Sequence, residues 1–210
     1  PYIVMEYFQG SPLGHLIRKQ VDVSLTDKIS IIRQVARSLM AVHAKNIYHR
    51  DIKPDNILVN EDFKVKITDF GICHLPLSDL TMTSCFIGTP SYLAPEYLRS
   101  GVCNSQTDIF ALGVVSYELF LGERPFNSDS LQDLTAKIIN SNPKRPKELD
   151  AEFPEELELI LAKMLKKNPK LRYSCAENII RDLNSFENAT FNKGLLEKLR
   201  HNFAYSGSWG

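Results

Sequence analysis

The sequence predicts an α+β fold, mainly α, in which one short β-hairpin sits among helices. Apolar residues recur every three or four positions over several long stretches. A second run is apolar nearly all round, and a third segment alternates apolar and basic residues after a turn. The chain has 210 residues, 43% hydrophobic and 24% charged. That is enough to bury one core, and it excludes disorder as the main state. Lys+Arg and Asp+Glu both number 25, so the formal net charge is zero. No basic excess points to nucleic acid or an anionic membrane, and no apolar run reaches the ~20 residues of a transmembrane helix. Cys73, Cys85, Cys103 and Cys175 are scattered, with no CxxC pair. They indicate neither a zinc site nor a disulfide framework, and fit the reduced thiols of a cytosolic protein.

Residues 1–8, with Ile3, Val4, Tyr7 and Phe8, read as a strand that Gly10-Ser11-Pro12 break. The chain thus opens inside an apolar run, and a fragment beginning mid-domain is expected. A short helix with Leu13, Leu16 and Ile17 on one side follows. Ser24 starts a clear helix, with Asp27 three residues on as in a capping box. Its stripe is Leu25, Ile29, Ile32, Ala36, Leu39 and His43, running to about Lys45. Ile57–Val59 and Phe63–Ile67 form a hairpin around Asn60-Glu61-Asp62, with Phe63, Val65 and Ile67 on one face and Lys64 and Lys66 on the other. Residues 70–104 lack sustained periodicity and hold Gly88, Pro90, Pro95 and Gly101, so they read as a functional or a disordered loop.

Residues 108–121 describe a helix buried on every side, ended by Gly122 and Pro125. Three amphipathic helices follow. The first lies near 130–140, with Leu131, Leu134 and Ile138. The second begins at Pro154, with Glu155 and Glu156 in its first turn and Lys166 and Lys167 in its last, as the helix dipole favours. The third starts at Ser174 with Glu177 as capping partner and buries Ile179, Ile180, Leu183 and Phe186. Beyond Asn188, the spacing of Leu195, Leu196, Leu199 and Phe203 is that of one more helix.

The chemistry gathers at the hairpin. Asp51, Lys53 and Asn56 precede its first strand and Asp69 follows its second. With the turn near Asp62, antiparallel pairing sets Asn56 opposite Thr68, beside Asp69. An amide oxygen and a carboxylate at one open end suit Mg²⁺, which takes its remaining ligands from phosphates and water. Asp51 and Lys53, two apart in an extended loop, point the same way. An acid and a cation beside a metal-phosphate site point to phosphoryl transfer. A single loop Asp is usually a turn former, which is the reading for Asp55, Asp62 and Asp79. Asp51, Asn56 and Asp69 stand apart because they are spaced as a set.

His49-Arg50-Asp51-Ile52-Lys53-Pro54-Asp55-Asn56 resembles the catalytic loop of the protein kinases, Asp69-Phe70-Gly71 their metal-binding motif, and Ala94-Pro95-Glu96 the end of their activation segment. All three occur in the family's order. The resemblance implies a protein-kinase-like large lobe whose short hairpin carries the active site. It implies ATP and Mg²⁺ as cofactors and protein Ser/Thr hydroxyls as acceptors. Asp51 would accept or orient the hydroxyl proton, and Lys53 would neutralise charge on the transferring phosphoryl group. Asn56 and Asp69 would hold Mg²⁺, and Thr89 would bond the Asp51–Lys53 pair. Met5 to Phe8 look like the hinge, with Glu6 and Phe8 against adenine and Leu58 as the pocket floor. Arg50 resembles the arginine that senses an activation-loop phosphate. Asp108 looks like the anchor of the catalytic loop, and Arg172 like the partner of Glu96. Lys53 and Gly88-Thr89-Pro90 resemble the serine/threonine class, and the pattern from Ile160-Leu161 to Asp182-Leu183 resembles bacterial members.

Departures from the family matter as well. No G-x-G-x-x-G occurs, so residues 1–188 are expected to be hinge and large lobe without the small lobe, with 189–210 a tail or linker. The isolated piece is then expected to transfer phosphate poorly. Cys85 stands where relatives often carry a phosphorylated residue, leaving Thr81, Thr83 or Ser84 to serve instead, or none. Gln9-Gly10-Ser11-Pro12 lacks an acid for the ribose. A kinase-like scaffold without chemistry is the alternative, which the intact Asp51, Lys53, Asn56 and Asp69 argue against. A small-molecule kinase ranks lower, because the peptide-receiving Gly-Thr-Pro and Ala-Pro-Glu segment is present.

Overall fold

The computed structural model describes residues 6–70 and 90–188. The two-residue strand β1 (Ser11–Pro12) leads into α1 (Leu13–Arg18) and then α2 (Leu25–His43). A 3-10 turn at Pro54–Asn56 precedes the hairpin strands β2 (Ile57–Val59) and β3 (Val65–Ile67). A second 3-10 turn, Pro90–Tyr92, and the short α3 (Pro95–Ser100) lead to α4 (Ser105–Leu121). The chain closes with α5 (Leu131–Asn140), α6 (Pro146–Leu149), α7 (Glu155–Met164) and α8 (Ala176–Asn188). The fold is the mainly helical α+β arrangement that the sequence predicts. None of its described helices is long and apolar enough to cross a membrane.

Local chemistry sets these elements. Ser24 Oγ accepts from Asp27 N at 3.1 Å and starts α2. Asn104 Oδ1 accepts from Gln106 N and Thr107 N, while Thr107 Oγ1 accepts from Asn104 N, a full capping box for α4. Gly122, at φ +77°, ends α4 in the left-handed region. α4 is buried on nearly all sides, and α2 packs on it and on α8. With three packing partners, α4, α8 and β3, α2 buries more than one stripe: Ile31 and Val35 join Ile29, Ile32, Ala36 and Leu39. Leu25, expected in the stripe, is 39% exposed.

The sheet departs from expectation at its edge. The described part of the predicted first strand, residues 6–8, is not strand, and residues 1–5 lie outside the described residues. Ser11–Pro12, expected to break a strand, instead pairs antiparallel with Leu58–Val59. β1 is an edge strand, where a proline's missing N–H costs no ladder bond. Gly10 permits the approach, since a Cβ there would lie 2.8 Å from the Val59 carbonyl oxygen. In the hairpin, Asn60 Oδ1 accepts from Asp62 N and Lys64 N, and Phe63 adopts φ +55°. Phe63 therefore closes the loop rather than starting β3, although Phe63, Val65 and Ile67 do pack together on the core as expected.

Three further differences concern helix ends. α3 lies inside the stretch read as loop, too short for periodicity to reveal; Pro95 opens it and Gly101, at φ +67°, closes it. α8 begins at Ala176, because the Ser174 carbonyl accepts from Gln106 Nε2 at 3.1 Å. α7 stops at Met164, so Lys166 and Lys167 do not cap it. Lys167 Nζ instead donates to the Ile138 carbonyl at 2.6 Å, at the end of α5, and lies 3.8 Å from the Phe126 ring centre. Burial, with Arg172 and Arg99 nearby, lowers its ammonium to about 7.

Arg172 locks three of these segments together. Its Nη1 and Nη2 donate to Glu96 Oε1 and Oε2 at 2.6 and 2.7 Å. The remaining donors reach the carbonyls of Gln106, Lys166 and Lys167 at 2.9, 2.6 and 3.2 Å. The guanidinium also lies 4.8 Å from the centre of the Phe110 ring. The Arg172 side chain is fully buried, and all its donors are satisfied. Removing it strands the Glu96 carboxylate, so Arg172→Ala should cost about 3–5 kcal/mol. Arg172→Lys keeps the charge but not the fork, and should fall between. Urea denaturation midpoints read this directly; an Arg172→Ala loss below about 1 kcal/mol would contradict it.

Candidate active site

The site is built outward from Asp108 in the first turn of α4. Its Oδ1 accepts from Arg50 N at 2.8 Å, and its Oδ2 accepts from His49 N and His43 Nε2, both at 2.8 Å. These bonds hold Arg50 at φ +70°, a left-handed conformation that non-glycine residues rarely take. The chain bends there, and Asp51 is the next residue. His49 braces the bend. Its Nε2 donates to the Thr68 carbonyl at 2.9 Å, its Nδ1 accepts from Asp51 N at 3.3 Å, and its ring lies 4.6 Å from that of Phe70. This pattern needs the neutral Nε2–H tautomer. Burial lowers the imidazole pKa, outweighing the Thr68 carbonyl and the carboxylates of Asp108, Asp51 and Asp69.

The structure brings Asp51, Lys53 and Asn56 into direct contact. Lys53 Nζ donates to Asp51 Oδ2 at 2.6 Å. Asn56 Nδ2 donates to the same oxygen and to the Asp51 carbonyl, both at 2.8 Å. Asp51 Oδ2 is thus fixed by two donors, while Oδ1 accepts from none of the described residues. Lys53 is extended, at φ −154° and ψ 161°, and Pro54 then starts the 3-10 turn that buries Asn56. The hairpin register pairs Ile57 with Ile67, and one step further Thr68 N donates to the Asn56 carbonyl at 3.0 Å. Asn56 and Asp69 therefore share one end of the hairpin, as the sequence predicts. Asp69 is exposed, at φ +58°, and its Oδ2 accepts from Thr68 Oγ1 at 3.2 Å. An amide and a carboxylate are oxygen donors of the kind Mg²⁺ takes.

A second group of residues meets through Lys66. Leu58 pairs across the sheet with Lys66, so their side chains share a face. Lys66 Nζ forms an ion pair with Glu6 and lies 5.9 Å from the Phe8 ring centre. Glu6, Phe8 and Leu58 are joined by a lysine that alternation had assigned only to the outer face of the hairpin. Sequence reasoning also missed the supports of the Pro90–Tyr92 turn. Tyr92 Oη donates to Glu118 Oε2 at 2.6 Å, and Arg124 Nη1 donates to Ser91 Oγ at 2.7 Å. Burial raises the Glu118 carboxyl above its usual range. An acid inside an otherwise apolar helix was the available signal. Thr89, Cys85 and the phosphorylation candidates Thr81, Thr83 and Ser84 lie outside the described residues.

This arrangement has a known counterpart, since residues 1–182 match the protein kinase domain family. The chain belongs to that family. A probable serine/threonine-protein kinase of Clostridium perfringens is 38% identical over 183 residues, 87% of this chain and 27% of that protein. The serine/threonine-protein kinase PknB of Mycolicibacterium smegmatis is 36% identical over 87% of this chain and 30% of its own length. PrkC of Bacillus subtilis is 34% identical over 87% and 28%. This kinase domain therefore falls among the eukaryotic-like serine/threonine members, and spans less than a third of these curated relatives. Among solved structures, Rad53 1-466 in complex with AMP-PNP superposes with a TM-score of 0.71 at 29% identity, over 85% of this chain and 45% of that one.

The buried His49 of this kinase domain makes folding depend on pH. The unfolded imidazole binds a proton near pH 6.5, while the folded one resists it. Stability should therefore fall as pH drops through about 6.5. Denaturation midpoints measured from about pH 7 to 5.5 should decline, and less steeply in His49→Asn, which keeps a donor for the Thr68 carbonyl. Equal slopes in the two proteins would exclude His49 as the cause.

Proposed function

We propose that this chain supplies the hinge and large lobe of a serine/threonine protein kinase, which transfers the γ-phosphate of ATP to protein Ser/Thr hydroxyls. Residues 1–188 are the catalytic part and 189–210 a tail. The observation that carries the reading is the Asp51 carboxylate, with Oδ2 held by Lys53 and Asn56 and Oδ1 accepting from none of the described residues. An acid fixed on one oxygen presents the other in a single orientation, as a proton acceptor requires. The hydroxyl oxygen forms the new bond to phosphorus as the bond to the β-phosphate oxygen breaks, and the hydroxyl proton passes to Asp51. Lys53, already beside Asp51, offsets charge on the phosphoryl group. Mg²⁺ bound with ATP supplies further charge neutralisation, and Asn56 and Asp69 are the oxygen donors that would hold it.

Glu6 and Phe8 supply backbone groups for adenine and Leu58 the floor beneath it, with Thr89 bonding the Asp51–Lys53 pair. A nucleotide-covering small lobe completes the site, since the 210 residues contain no glycine-rich phosphate loop. The proposed setting is the cytoplasm, where ATP and reduced thiols both occur, and the proposed role is in signalling. The serine/threonine relatives and the Pro90–Tyr92 turn, which follows Thr89, support a protein acceptor.

The test uses the chain joined to its small lobe. Asp51→Asn should cut phosphoryl transfer by about a thousandfold with ATP affinity largely kept. Asp69→Asn should do the same and also weaken the dependence on Mg²⁺. Radiolabelled phosphate transfer to a Ser/Thr protein substrate measures both; activity unchanged in both variants would defeat the proposal.

A further inference from the structure

Outside the catalytic site, α1 has an uncovered apolar flank. Two cavities meet along it. One, of about 320 Å³, lies between α1 and the end of α4, walled by Ile17, Val23, Leu119 and Leu121. The other, of about 640 Å³, lies between α1 and the hairpin loop, walled by Tyr7, Val59 and Phe63. Leu16 and Val21 line both, so they form one continuous groove. Val21 is 47% exposed and Tyr7 86%. Glu61 and Asp62 sit at the wider end, and neither forms an ion pair among the described residues.

The chain's own last segment has the complementary chemistry. Leu195, Leu196, Leu199 and Phe203 fall at helical spacing on one stripe. Around them stand Lys193, Lys198 and Arg200 against the single acid Glu197. The path also fits. α8 begins against the first turn of α4, where Gln106 Nε2 reaches the Ser174 carbonyl. It ends on the first half of α2, where Arg33 bonds Asn184 and pairs with Glu187. Lys28, five residues earlier on α2, lines the smaller cavity. Five helical residues are about 7.5 Å, and the five residues from Asn188 to Lys193 span up to about 17 Å when extended.

The geometry points to the segment Lys193–Phe203 docking in cis along α1, its apolar stripe in the groove and its cations toward Glu61 and Asp62. The occupant bears on the catalytic loop, because the opposite side of α1 carries that loop. At Gly14 a Cβ would lie 2.8 Å from Asp55 Oδ1, one residue before Asn56. The docked segment thus covers the flank of α1 that faces away from Asp55, and this docking does not depend on whether phosphate is transferred.

Hydrogen exchange on the full chain tests this without any activity readout. In Leu195→Asp/Leu199→Asp, amides of residues 13–23 and 59–63 should exchange roughly tenfold faster than in the parent, with α4 and α7 unchanged. Val21→Asp, at an exposed groove position, should speed exchange in residues 193–203 to a similar extent. Equal exchange in parent and both variants overturns the proposal and leaves the groove to a separate partner. Protection that disappears on about hundredfold dilution overturns docking in cis and assigns the groove to a second copy.

Discussion

The buried carboxylate of Asp108 fixes the backbone bend on which the site depends. It is 1% exposed, and taking a charge out of water costs several kcal/mol unless donors replace the lost hydration. Three do so: two backbone N–H groups from consecutive residues and one imidazole nitrogen. The two backbone bonds act on the chain rather than on replaceable side chains. They hold His49 and Arg50 in place whatever the rest of the loop does, and they offset the ~1–2 kcal/mol that a left-handed Arg50 costs. Asp51 inherits its position from that bend. The second brace, His49 to the Thr68 carbonyl, ties the same loop to the end of β3, where Asp69 follows.

The first turn of α4 therefore serves more than one purpose. Asn104 satisfies its leading N–H groups, the Gln106 carbonyl receives Arg172, Thr107 Oγ1 contacts Glu96, and Asp108 holds the catalytic loop. Three consecutive residues, Gln106 to Asp108, thus join the helix to α3, to the segment after α7 and to the active-site loop. α4 can act as this hub because it is mostly apolar and buried without a break from Thr107 to Tyr117. A helix with a solvent face could tilt; one whose central turns are buried on all sides cannot move without opening the core.

Much of this was legible in the sequence, for identifiable reasons. Ser24 and Gly122 are strong punctuation, and both ends lie where they indicate. The hairpin register followed from centring the turn near Asp62 with antiparallel pairing, and with it the placement of Asn56 beside Asp69. Asp108 and Arg172 were found by resemblance rather than pattern, since nothing in spacing joins residues 58 or 76 positions apart. The misses are tertiary. Ser11–Pro12 becomes a strand only because β2 offers a partner and Gly10 allows the approach. Lys167 looked like a helix cap but turns beneath α5, where Phe126 and the Ile138 carbonyl receive it. α3 and α6 are too short for any periodicity to register. Lys66, outward by alternation, joins Glu6 and Phe8 only once the chain before β1 lies over the sheet.

The two halves of the candidate chemistry are held very differently. Lys53 and Asn56 both bond Asp51, and His49 and Asp108 behind it are buried, so the group that would take the proton rests on buried, hydrogen-bonded residues. Asp69 is exposed and left-handed, and among the described residues its carboxylate accepts one hydrogen bond, from Thr68 Oγ1. A proton acceptor must be placed before the reaction, because its alignment cannot be recovered from a mobile loop in the transition state. A metal ligand has no such need: the divalent ion itself draws carboxylates into its coordination sphere, and a ligand free to adjust lets the ion arrive and leave with its nucleotide. The proposed base and the proposed metal ligand differ in where they sit. One lies in a loop pinned to α4, and the other lies one residue past the last bonded pair of a hairpin.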